Sequence, residues 1–193
     1  MKDSLEEYKK ILWNKFQNSQ SPRAESRYRH SLGVLKKALE IKKTFSLPVD
    51  EHKLMVAALL HDYAKFTTWE EYVQIIKENH LDKQLLETSP KIWHSILGGY
   101  VVKKELGIDD PEILDAIRDH TLGGSNMSLL SEIIFLADYT DETREGEYFR
   151  EAKALSKVDF HQAIACKIHQ RMLKEPQFVT EELKTMYQKY RED

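Results

Sequence analysis

Cysteine is nearly absent from this chain: Cys166 is the only one among 193 residues, so no internal disulfide can staple the fold and a reducing compartment suits it. No helix start is evident beside Cys166, which therefore reads as a small buried hydrophobe and not as a nucleophile. No apolar run approaches the roughly 18 residues that cross a bilayer, so no membrane partner is expected. The start Met1-Lys2-Asp3-Ser4-Leu5-Glu6-Glu7 is acidic and amphipathic, without the apolar centre of a secretory signal, and the expected address is cytoplasmic. Neither sign of charge prevails. Lys and Arg number 29 against 32 Asp and Glu, a formal −3, and without a global basic field a nucleic-acid polymer is not the expected partner. A hydrophobic share of 41% is too high for disorder.

Glycine and proline are also scarce, at seven and five, and they fall where helices start or stop. No segment alternates as a strand does, so the chain reads as all-α. Ser21-Pro22 predicts an N-cap with proline at the first helical position, opening a long helix through Tyr28, Leu32, Leu35 and Leu39. Pro48-Val49-Asp50 starts a second. Its unbroken apolar run Leu54 to Leu60 predicts burial on nearly all sides. Thr67-Thr68 with Glu70 and Glu71 predicts a capping box ahead of Trp69, Tyr72, Ile75 and Ile76. One helix is expected from Pro90 to Leu106, stopped by Gly107, and another from Asp110-Pro111 to His120, broken by Gly123-Gly124. Asn126 or Ser128 then caps a strongly apolar helix through Leu130, Ile134 and Asp138. Two or three amphipathic helices follow Glu142, one near Cys166 to Met172 and one over Glu181 to Tyr190. At this length one domain over 1–193 is expected, its centre at about 20–170 with terminal helices packed on it.

The chemistry lies at the ends of these apolar stripes. The dipeptide His61-Asp62 alone is weak evidence, since 8 His and 12 Asp produce roughly half such a pair by chance. Its position is informative, because an ionised Asp62 on the stripe Met55, Ala58 and Leu59 needs a charged partner, and a metal ion is one. His30 shares a stripe with Val34, Ala38 and Ile41. His61 continues Leu54 and Ala57, His120 continues Ile113 and Ile117, and Asp138 continues Leu130 and Ile134. His94 lies one turn after Pro90. Five helices thus each deliver a ligand type, and the coincidence favours a shared site. By contrast His52, His80, His161 and His169 stand in polar surroundings and read as surface.

Two runs, Tyr28-Arg29-His30-Ser31-Leu32-Gly33-Val34 and Leu59-Leu60-His61-Asp62-Tyr63-Ala64-Lys65, resemble the opening motifs of the HD superfamily of metal-dependent phosphohydrolases. His94, Asp119-His120-Thr121 and Phe135-Leu136-Ala137-Asp138-Tyr139 follow in that family's order. More narrowly, the chain is similar to its YqeK-like branch of bacterial symmetric diadenosine tetraphosphate hydrolases, from about Arg27 to Cys166. The resemblance implies a helical HD-domain bundle with two divalent metal ions, one on His30, His61, Asp62 and Asp138 and the other on His94 and His120, with Asp62 bridging. It implies iron, while mixed imidazole and carboxylate donors also suit manganese, zinc or nickel. The stretch Asp138-Tyr139-Thr140-Asp141-Glu142-Thr143-Arg144 departs from the family's usual Glu-Pro-Gly-Arg ending but keeps an arginine in the matching place.

The implied reaction is attack of a metal-bound hydroxide on diadenosine tetraphosphate, cutting it into two ADP. Lys65 follows Asp62 by three residues on one helical face and can reach a phosphate oxygen. Arg144 has the fork geometry to clamp a distal phosphate. Two roles stay open for Arg27, substrate contact or pairing with a ligand carboxylate. Thr121 and Gly123 offer a hydroxyl and a backbone N–H to a nucleotide, or the glycines simply end the helix. Other readings are a phosphohydrolase of guanosine tetraphosphate, a deoxynucleotide or a cyclic nucleotide, a di-iron oxygenase, and a nucleotide-sensing module without turnover. The six ligands standing together with Lys65 favour an enzyme. The expected partner is a dinucleoside polyphosphate or nucleotide, and a homodimer is left open.

Overall fold

The computed structural model describes residues 4–192, which form eleven α-helices and no strand. Met1, Lys2 and Asp3 of the acidic start lie outside the described residues. The remainder of that segment opens α1 (Leu5–Asn18), where the Ser4 side chain accepts from the Glu7 N–H. Helix α2 (Ala24–Thr44) begins two residues later than Ser21-Pro22 predicts. The Ser21 hydroxyl accepts from the Arg23 N–H and the Ser21 carbonyl from the Ala24 N–H, so this serine caps a turn ahead of the helix. Asp50 caps α3 (Glu51–Leu60) and the Thr68–Glu71 capping box opens α4 (Trp69–Glu78). A short 3₁₀ segment, Lys83–Glu87, was not foreshadowed by any apolar period.

The single helix expected from Pro90 to Leu106 is instead two, α5 (Pro90–Ile96) and α6 (Gly98–Leu106), separated at Leu97. Gly98 and Gly99 weaken the helix locally, and both press against the next helix, where a Cβ on Gly98 would lie 3.0 Å from Ile117. That neighbour is α7 (Pro111–Asp119), capped by Asp110. Of the two caps predicted for α8 (Leu129–Thr140), Ser128 serves. Three helices follow, α9 (Glu147–Leu155), α10 (Phe160–Lys174) and α11 (Glu181–Glu192).

Helix α2 packs on α3 and α8, and α7 packs on α8, α3 and α6, so these elements surround one apolar interior. Helix α1 covers α2 and α3, while α10 joins α8 to α9 and α11. A continuous hydrophobic cluster runs from Tyr8 to Tyr190, with a small satellite of Tyr139, Ala152 and Cys166. Burial pushes the Cys166 thiol up to about 12, which keeps it unreactive. In α3, Leu54, Leu59 and Leu60 are wholly buried, each contributing about 2 kcal/mol. Together they outweigh the several kcal/mol that burial of the adjoining Asp62 demands. Among the described residues no helix is long and apolar enough to cross a membrane.

Candidate metal centre

Each helix brings its ligand type to the interior by a local device. His61 and His120 are the C-cap residues of α3 and α7, and their rings are held alike. His61 Nδ1 lies 2.7 Å from the Ala58 carbonyl, and His120 Nδ1 lies 2.7 Å from the Ile117 carbonyl. A carbonyl only accepts, so Nδ1 carries the proton and the Nε2 lone pair faces inward. His30 comes from the second turn of α2, His94 from α5 and Asp138 from the last turn of α8.

The inward atoms converge. His30 Nε2 lies 3.4 Å from His61 Nε2 and 3.0 Å from Asp138 Oδ1. His94 Nε2 lies 3.3 Å from His120 Nε2 and 3.1 Å from Asp62 Oδ1. Two buried triads therefore share one carboxylate: His30, His61 and Asp62 bring ligand atoms within 4.8 Å of one another, and so do Asp62, His94 and His120. Asp138 adjoins the first triad, 3.8 Å from His61 Nε2. Convergent lone pairs with committed Nδ1 protons suit a cation among them, so this donor set fits divalent metal.

The electrostatics point the same way. Burial alone would raise Asp62, but His61, the Lys65 ammonium and the His120 and His94 rings around it hold its carboxyl well below the usual range. Asp138 is likewise kept ionised against burial, chiefly by Arg144 and His30. Burial opposes the charged form of His30, yet the hydrogen bond to Asp138 and the Asp141 carboxylate beside Nδ1 outweigh it and push the ring up to about 9. A proton and a metal compete for one Nε2 lone pair, so the carboxylates that favour the first also favour the second. His61, wholly buried, is pushed down to about 3 by desolvation and stays neutral, as a ligand must.

Of the predicted substrate residues, Lys65 reaches the centre most directly, with Nζ 2.9 Å from His94 Nε2 and 3.4 Å from Asp62 Oδ1. Helix α3 ends at Leu60, so Asp62 and Lys65 do not share a helical face. They meet because the Lys65 N–H donates to the Asp62 carbonyl in a tight turn that stacks residues three apart. Arg27 donates to Asp62 Oδ2 at 3.3 Å. Arg144 donates to Asp138 Oδ1 at 2.6 Å and to the Asp138 carbonyl at 2.8 Å, inside the centre. The Thr121 hydroxyl lies 2.9 Å from His120 Nε2. Gly123, at φ +72, is set against Met186, and its N–H donates to the Asp119 carbonyl at 2.7 Å.

The four other histidines stay outside both triads. His80 and His169 are exposed, whereas His52 and His161 are half-buried, the latter because α11 lays Tyr190 about 6.0 Å from its ring. Replacing His80 or His169 by Ala should leave metal content and turnover nearly unchanged. Elemental analysis and an activity assay check this, and metal loss in either variant would show that the wrong histidines were chosen.

Three residues at the site carried no clear sequence signal. Asp141 is wholly buried, and its Oδ2 lies 3.3 Å from His30 Nδ1 without a geometrically sound hydrogen bond. Thr143 Oγ1 donates to Asp141 Oδ1 at 2.5 Å and lies 3.2 Å from His30 Nδ1. Gly33 accommodates this pair, since a Cβ there would stand 2.8 Å from Asp141 Oδ1. The spacing of Asp138 and Asp141, one helical turn, was the available hint.

The third is Lys167, buried beneath the centre with Nζ over the Phe135 ring at 3.6 Å. It donates to the His120 carbonyl at 3.0 Å and to the Phe135 carbonyl at 2.5 Å. Burial lowers its ammonium to about 7. Lys167→Ala strands both carbonyls and opens a cavity, and should destabilise the fold by about 3 kcal/mol. For a chain this long that is a drop in Tm of roughly 6–12 °C. Thermal unfolding of the variant tests this, and an unchanged Tm would refute the structural role.

The HD domain family matches residues 27–143, a span that contains all six predicted ligands. The chain is 40% identical over 149 residues to a Bacillus subtilis protein named Bis(5'-nucleosyl)-tetraphosphatase, symmetrical, covering 77% of this chain and 79% of that one. A Halalkalibacterium halodurans protein of the same name is 39% identical over 72% of this chain and 74% of its own. Among solved structures, a predicted HD superfamily hydrolase involved in NAD metabolism from Clostridium acetobutylicum superposes with a TM-score of 0.80. It shares 27% identity, over 95% of this chain and 96% of that one.

Proposed function

This chain belongs to the HD domain family, and on that premise we propose that it is a metal-dependent hydrolase cutting diadenosine tetraphosphate symmetrically into two ADP. The observation that carries the reading is the pair of buried His/Asp triads sharing Asp62, with Lys65 at hydrogen-bond distance from it. The symmetrical tetraphosphatases to which the chain is similar supply the substrate class.

We assign His30, His61, Asp62 and Asp138 as the residues that would hold one ion and His94 and His120, with Asp62 common to both, as those that would hold a second. Divalent ions held there supply positive charge to the phosphoryl oxygens and make an attacking water more acidic. Imidazole and carboxylate donors together favour iron, manganese, zinc or nickel, and iron is the ion this reading takes. Lys65 places an ammonium where a phosphoryl oxygen gains charge during attack. Arg27 steadies Asp62 with one nitrogen and turns its remaining donors to a phosphate. Arg144 orders Asp138 and lies close enough to the centre to hold a further phosphate oxygen, and the Thr121 hydroxyl beside His120 offers another contact. The oxygen of water bonds to one of the two central phosphorus atoms, the bridging P–O bond breaks, and each half leaves as ADP.

The test is incubation with diadenosine tetraphosphate and added iron or manganese, followed by separation of the nucleotides. ADP as sole product is expected. ATP with AMP would contradict the symmetric cut. Hydrolysis confined to guanosine tetraphosphate, a deoxynucleotide or a cyclic nucleotide would move the substrate, and no turnover of any nucleotide would make the chain a binding module.

A further inference from the structure

A groove of about 590 Å³ opens beside the centre, within the range of cavities that hold small ligands. Its inner end is formed by His94, Lys65 and Arg27, so it is continuous with the candidate metal centre. Its outer part carries Arg23, Lys91, Trp69 and Trp93. Four cations line it and no carboxylate does. Among the described residues, neither Arg23 nor Lys91 forms an ion pair.

The aromatic wall is preorganised. Trp93 is buried, and its Nε1–H donates to the Leu85 carbonyl at 3.1 Å and to Thr88 Oγ1 at 3.0 Å. Tyr72 braces it edge-on at 5.9 Å. Trp69 rests against this fixed ring, with centroids 4.7 Å apart, yet remains 45% exposed. A large ring left partly in water forgoes burial free energy, and an aromatic surface beside unpaired cations suits a ligand with both a flat face and negative charge.

We infer that this groove is a nucleoside diphosphate subsite in which a base stacks on Trp69 while Arg23 and Lys91 lead its phosphates inward to Lys65. The inference rests on the hydrolase reading above, in which the symmetric cut leaves two phosphates and one nucleoside on each side of the broken bridge. No Asn, Gln, Asp or Glu lines the groove to read the hydrogen-bonding edge of a base, and every base offers a π face. The subsite therefore binds adenine and guanine nucleotides with similar affinity.

Calorimetric titration of the manganese-loaded protein with ADP, GDP and pyrophosphate tests this. Trp69→Ala should weaken ADP and GDP by roughly tenfold or more and leave pyrophosphate within about twofold, with Trp69→Phe recovering most of the loss. Arg23→Ala combined with Lys91→Ala, both at exposed positions, should weaken all three. Unchanged ADP affinity in Trp69→Ala overturns the inference, as does equal loss of ADP and pyrophosphate. If Trp69→Ala does not fold, unchanged pyrophosphate affinity in the double variant overturns it instead. Wild-type hydrolysis of diadenosine tetraphosphate alongside Trp69-independent ADP binding would sink the groove and spare the function. Trp69-dependent binding without hydrolysis would do the reverse.

Discussion

Asp62→Ala protein is expected to emerge from metal loading with no more than one ion per chain, where two are expected in the native protein, and with turnover lowered about a thousandfold or more. Asp62 is the residue common to both triads. Its Oδ1 lies 3.1 Å from His94 and 3.6 Å from His120, while Oδ2 faces Arg27 at 3.3 Å and His61 at 3.8 Å. Three imidazoles and, with Lys65 Nζ 3.4 Å from Oδ1, two cations thus take their electrostatic reference from one buried carboxylate. Without it, Lys65 and Arg27 add uncompensated positive charge beside the ligands, which disfavours any cation there. Asp62→Asn keeps the volume but not the charge, and separates these effects. It should fold like the native protein and still bind less metal. Elemental analysis beside steady-state kinetics decides the matter: two retained ions with full activity in Asp62→Ala would make the assignment of ligands wrong.

Lys65→Ala is expected to behave in the opposite way, keeping both ions while kcat falls by roughly ten- to a thousandfold, the scale of losing one preorganised charge from a transition state. Burial lowers the Lys65 ammonium, a sign that it stands in a poorly solvated place, where a charge acts more strongly than in water. KM should change less than kcat if the ammonium meets charge that develops during attack. Lys65→Arg keeps the charge in a different shape and should restore part of the rate. Loss of metal in Lys65→Ala would mean that the ammonium orders the ligands themselves, and an unchanged kcat would remove it from the mechanism.

Helix starts were legible because a cap acts within three residues. Asp50, Thr68 with Glu71, Asp110 and Ser128 each bond to backbone N–H groups that any chain with that sequence would expose. Where Ser21 failed, the reason was equally local, for its hydroxyl satisfied a turn before the helix. The break at Leu97 was not legible, since it depends on Gly98 and Gly99 meeting α7, which the period of α5 and α6 does not contain.

The sequence by itself determined the all-α class and the candidate ligands, because an apolar stripe commits one face of each helix to the interior and a His or Asp at its end must follow. Only the tertiary structure decided which ligand faces which. Asp62 became common to both triads through the crossing of α3 with α2 and α7, across 32 and 58 residues of chain from His30 and His120 respectively. It likewise placed Lys167 under the site and brought Arg23, Trp69 and Lys91 to one groove. Those side chains answer to no local period. Burial, charge and open faces at a site are set by what long-range packing brings alongside, and spacing along one helix carries no record of it.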